Sequence, residues 1–63
     1  MYKLAAFDLG LNDHQIAYGE TKAEVIGKMF QYLEVHHPDF IGQPSLQRLA
    51  ELDSLMNSHI KEA

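Results

Sequence analysis

No cysteine occurs anywhere in these 63 residues, and that absence narrows what the chain can fold into more than any motif it carries. A chain this short hides only about 60% of its unfolded surface on folding. Below about 70–80 residues a lone core rarely supplies more than ~3–5 kcal/mol, and small domains usually add disulfides, a metal or a partner subunit. Here disulfides and thiolate metal sites are excluded together, which fits a reducing compartment. A metal would have to be held by histidine and carboxylate, so self-association is the simpler remaining route to extra stability. Residues 1–63 are predicted to form a single domain, with no repeat, low-complexity tract or internal linker.

The clearest local signal is Thr21-Lys22-Ala23-Glu24, a capping box. The Thr21 hydroxyl is placed to accept the Glu24 amide, and the Glu24 carboxylate to reach back to the Thr21 amide. A helix is predicted from about Lys22 to His36 or His37. Ile26, Met29, Phe30, Leu33 and His37 share its apolar side, flanked by Val25, Tyr32 and His36. Pro38 ends it, because the residue before a proline is pushed out of the α region. Asp39 to Gln43 reads as a connector. Pro44 and Ser45 suit a second helix start, and Leu46, Leu49, Leu52, Met56 and Ile60 form its stripe.

Ahead of the capping box, residues 2–8 read as a strand with apolar groups on both faces, predicting that both faces are covered. Gly10, Asn12 and Asp13 mark a turn. His14 to Tyr18 reads as a second strand with His14, Ile16 and Tyr18 on one face. The predicted fold class is α+β: an antiparallel β-hairpin followed by two α-helices. Two strands alone are marginal in water, and a homodimer joining two hairpins into a four-stranded sheet would cover an open edge.

The Asp8-Leu9-Gly10 segment, followed by Ala17-x-Gly19-Glu20-Thr21-x-x-Glu24 and a helix ending near His37, resembles a family of short bacterial and archaeal proteins classed as a domain of unknown function. The resemblance covers about residues 1–37. It implies cysteines where this chain has Ala6 and Asp13, and histidines at Tyr32 and His37. Two thiols and two imidazoles make a plausible zinc set. With three of the four replaced, the resemblance implies that this chain has lost any such site, and it bears on fold more than on function.

The charge and composition argue against several function classes. The net charge is −4, and Lys3, Lys22, Lys28, Arg48 and Lys61 lie scattered along the sequence. No basic stripe is available for phosphates, so nucleic-acid binding is not expected. No apolar run approaches the roughly 18–20 residues needed to cross a bilayer. Asp8 falls too early for a secretory signal core, and a cytoplasmic location is the expectation.

Candidate sites are few. Asp13, His14 and His37 form the one conceivable set of metal ligands, although adjacent histidines at a helix end also suit the negative end of the helix dipole. Asp8, Asp13, Glu20 and Glu24 are better read as turn and capping residues than as paired acids. There is no nucleophile elbow and no phosphate loop. Gly27 interrupts a helix, either as a tolerated exposed position or to admit a close partner. Tyr18, Tyr32 and Phe40 are the aromatic residues expected at an interaction edge. The sequence thus predicts a non-catalytic interaction or structural module without a cofactor. Its partner would be a second copy or another protein. The alternative is a small metal- or ligand-binding protein using His14, His37 and nearby carboxylates.

Overall fold

The computed structural model describes residues 1–43 and 45–63; the second helix start proposed at Pro44 therefore lies in part outside the described residues. Among the described residues the fold is α+β, with three strands and three α-helices. These are β1 (Tyr2–Ala5), β2 (Ile16–Gly19), α1 (Lys22–His36), α2 (Pro38–Ile41), α3 (Leu46–His59) and β3 (Lys61–Glu62). The sheet is antiparallel throughout, in the order β2-β1-β3. This order extends the predicted hairpin and two helices by a short helix and a third strand.

The first strand is shorter than expected. Ala6–Leu9 leaves the sheet in a 3₁₀ turn that ends at Gly10, whose φ of 92° is open to glycine at little steric cost. The turn buries Ala6 and Leu9 and leaves Phe7 exposed. The second strand begins two residues later than predicted, and its buried face is Ala17 and Gly19. Ile16 and Tyr18 point outward, so the sheet is covered on one face, not both. Gly19 is fixed by a close approach. A Cβ there would sit 2.9 Å from the Glu24 carboxylate and 3.0 Å from a Val25 methyl.

The N-terminus of α1 forms largely as its sequence predicts, with the Thr21 hydroxyl accepting the Glu24 amide at 3.1 Å. The return bond differs. Glu24 Oε1 accepts the Glu20 amide at 3.3 Å rather than that of Thr21, because the strand end folds back over the first turn. The buried line of α1 is Val25, Met29 and Leu33, four residues apart, since the helix packs chiefly against β2 and β1. Ile26 and Phe30, predicted at the centre of the stripe, lie half-buried to one side.

The expected connector contains α2, which begins at Pro38 and buries Ile41. Arg48 ties it to α3. Its guanidinium donates to the carbonyls of Phe40 and, at 3.0 Å, Ile41, and lies 5.7 Å from the Phe40 ring. Ser45 caps α3 by accepting the Arg48 amide at 3.1 Å. Of the predicted leucine stripe, Leu52 and Met56 are buried, whereas Leu49 is partly open and Leu46 is 88% exposed. The stripe diverges from the core at its N-terminal end.

The sheet edges bear on the four-stranded dimer. The Ala6 amide donates to the Gln15 carbonyl at 2.9 Å. By antiparallel alternation, Ile16 and Tyr18 therefore direct their backbone groups away from β1. The Tyr18 carbonyl on that outer edge accepts the Lys28 ammonium at 2.8 Å. A lysine reaching from α1 to occupy that carbonyl hinders pairing of the short edge strand with another chain. The opposite edge of β1 is filled by β3 of the same chain, with the Ala63 amide donating to the Met1 carbonyl at 3.0 Å.

Candidate functional site

Two features of the described residues are candidates: a polar cluster centred on Asp13 and an apolar groove between α1 and α3. The cluster begins in the loop between the 3₁₀ turn and β2. Asp13 Oδ1 accepts the Gln15 amide at 2.9 Å, an Asx turn that fixes the carboxylate. Its other oxygen accepts the Tyr32 hydroxyl and meets His37 Nε2, both at 2.7 Å. Tyr32 comes from the last turns of α1 and His37 caps that helix, its amide bonding the Leu33 carbonyl at 2.8 Å. His36 lies against Tyr32 with ring centroids 4.4 Å apart and the planes tilted by 31°.

The electrostatics follow from this geometry. The His37 contact, then the Tyr32 hydroxyl and the Gln15 amide, favour the charged carboxylate and hold Asp13 well below the usual carboxylate range. The same carboxylate raises the Tyr32 hydroxyl above its ordinary value, since a phenolate would face a negative partner and lose its bond. The cluster ties the β1–β2 loop to the end of α1.

Of the predicted metal ligands, the fold therefore unites Asp13 and His37 and leaves out His14, which stacks on Phe7 at 5.5 Å with the rings 10° from parallel. Zinc prefers four donors. Among the described residues no group of three or more histidine, cysteine or acidic side chains could hold a metal ion. Of the four positions singled out by the family resemblance, Asp13, Tyr32 and His37 meet, but Ala6 has no donor to offer. The residues fit a hydrogen-bonded brace and do not fit a zinc centre. Asp13, Tyr32 and His37 also line none of the cavities described here.

The groove has a volume of about 720 Å³. Ile26 and Phe30 form one wall and Leu49 the other, while Gly27 leaves its side open, with nothing within 4 Å of where a Cβ would stand. Glu34 and Asp53 stand in its lining, which contains no lysine or arginine. A smaller cavity of about 210 Å³ adjoins it, sharing Phe30 and Glu34 and reaching Ile41. The three predicted interaction aromatics lie elsewhere. Tyr18 is exposed on the outer sheet face, Tyr32 is held by Asp13, and Phe40 lies under Arg48. No hydrogen bond or ring contact joins them among the described residues.

Helical periodicity alone hides the groove, because Leu49 falls on the stripe that reads as core. Gly27 was the one available signal. No helix is long and apolar enough to cross a membrane among the described residues. Comparison of the chain with protein-family models, curated proteins and solved structures found no match.

Proposed function

We propose that this protein is a non-catalytic interaction module that self-associates through the groove between α1 and α3. One observation carries the reading: the chain presents both an apolar recess and, beside it on α3, a leucine with 88% of its surface exposed. Leu46 of one copy is a natural occupant for the groove of another, over the gap left by Gly27. A standard interface covers roughly 800 Å² per partner, against a total accessible surface of 4262 Å². Such burial would supply the apolar contacts that a core of ten buried side chains leaves short. The cost is electrostatic. Glu34 and Asp53 on each copy approach their like, and each chain carries −4. Association should therefore strengthen as salt rises and screens them.

The test is solution mass by light scattering across a salt series, with EDTA and with added Zn²⁺ as separate arms. A dimer favoured by salt and indifferent to metal supports the reading, and Leu46→Asp should return it to a monomer without lowering the melting temperature in dilute solution, where the parent is monomeric as well. A monomer at high micromolar concentration in every arm would overturn it. The alternative, a metal- or ligand-binding protein using His37 with Asp13, predicts instead a Zn²⁺-dependent melting shift that His37→Ala abolishes.

A further inference from the structure

The lysines that lie scattered in the sequence are not all scattered in the fold. β3 runs antiparallel to β1 with Lys3 directly opposite Lys61. Directly opposed residues share one face of a sheet with Cβ atoms about 4.5–5.5 Å apart, and like charges placed so destabilise the pairing. Two of the five basic lysine and arginine side chains of an acidic protein thus stand together. His59, the last residue of α3, joins them around a recess of about 140 Å³ whose apolar lining is Ala5 and Ile16.

Asp8 is the acid of this recess. Its carboxylate lies 3.5 Å from the Lys61 ammonium and offsets that one charge. Lys3 makes no ion pair among the described residues. The recess is therefore locally cationic on a chain of net charge −4. An oxyanion between the two ammonium groups would turn their repulsion into attraction, since a charge-assisted bond to each is stronger than a neutral one. It would also tie down a strand that has only two residues and both of them exposed.

We propose that the recess bounded by Lys3, Lys61 and His59 binds a small oxyanion, held by the two lysines with Ala5 and Ile16 against its body. The ligand clasps β3 to β1. Phosphate and a short-chain carboxylate share this chemistry. Phosphate would engage the lysines alone, whereas a carboxylate such as butyrate would also lay its hydrocarbon on Ile16.

The experiment is a two-dimensional amide and methyl NMR titration with sodium phosphate and, separately, sodium butyrate, each against sodium chloride at matched ionic strength. The expected result is saturable shifts at Lys3, Ala5, Ile16, His59 and Lys61 with slower amide exchange in β3. Lys3→Met should weaken binding by about fivefold, as for loss of an ion pair at the strong end for exposed groups. Lys22→Met, which alters the lysine 5.8 Å from the Tyr2 ring, should leave it unchanged. Saturable methyl shifts with butyrate alone identify the carboxylate as the ligand class, and saturation with phosphate alone identifies the phosphate. Shifts that stay linear and match those in chloride, or Lys3→Met binding as tightly as the parent chain, would overturn the proposal.

Discussion

Replacing Gly27 by alanine separates what the helix wants from what the groove needs. Glycine in a helix interior is about 1 kcal/mol less favourable than alanine. Gly27 lies in the middle of α1, and a Cβ built there meets nothing within 4 Å. The substitution therefore adds no clash and no packing contact, leaving only the backbone term. For a domain of this size about 1 kcal/mol corresponds to a rise of roughly 4–8 °C in melting temperature. Against a total of ~3–5 kcal/mol, that is a large fraction. The new methyl also stands at the open side of the groove, where a second copy would approach. Melting should be followed by circular dichroism over a wide concentration range. In dilute solution, where chains are separate, Gly27→Ala should melt higher than the parent. As concentration rises, the parent should gain from association by mass action, and the advantage of the variant should shrink. A lower melting temperature in dilute solution would refute the reasoning, because it would mean that Gly27 is not an unencumbered position in a helix. A constant advantage at all concentrations would detach Gly27 from self-association.

Gly19→Ala should act oppositely. Its Cβ would displace the Glu24 carboxylate from the Glu20 amide and press on Val25, so a loss of about 1–2 kcal/mol is expected, comparable to removing a helix cap; an unchanged chemical-denaturation midpoint would contradict it. The Asp13 brace should give the protein a pH signature at both extremes. Because the folded Asp13 carboxyl titrates below its unfolded value, its contribution is complete above about pH 4 and lost as pH falls further. Because the Tyr32 hydroxyl is raised in the folded state, its contribution holds below about pH 10 and is lost as pH climbs through the higher folded value. Melting curves of Asp13→Asn should lack both dependences, and a variant that retained them would show that other groups are responsible.

What was legible in the sequence was what local chemistry decides. α1 is announced by the Thr21 hydroxyl, the Glu24 carboxylate and the proline after His37, all acting within a turn of where they stand. The pairing of β1 with β2 follows from two short apolar runs and a turn between them. The third strand was invisible because Lys61-Glu62 has no apolar alternation and becomes a strand only where the fold sets it beside β1. The same holds for the sites. Asp13 and His37 suggested themselves as ligand types, whereas only the family resemblance, which sets a histidine at Tyr32, placed that position with them, and nothing in the residue itself showed that its hydroxyl would complete the cluster. Leu46 and Leu49 sit on the correct helical stripe, and periodicity cannot say that α3 leaves the core before reaching them. Lys3 and Lys61 lie at opposite ends of the chain, so only the topology brings them face to face.

The two proposed surfaces are joined by one mechanical element. α3 forms a wall of the groove, and it is held by few attachments: Arg48 on the carbonyls of α2, the buried side chains of Leu52 and Met56, and β3 beyond its last turn. Ile60 alone separates the end of α3 from β3, and its backbone is already extended. A two-residue strand is a weak tether by itself, so the far end of α3, just past the groove-lining Met56, is the part of that helix most open to adjustment. Whatever orders β3 against β1 also steadies the end of α3 about one turn beyond Met56, the last groove-lining residue of that helix. If an oxyanion at Lys3 and Lys61 favours one setting of that wall and a second copy favours the same setting, each must strengthen the other's binding by an equal factor, since such coupling is reciprocal.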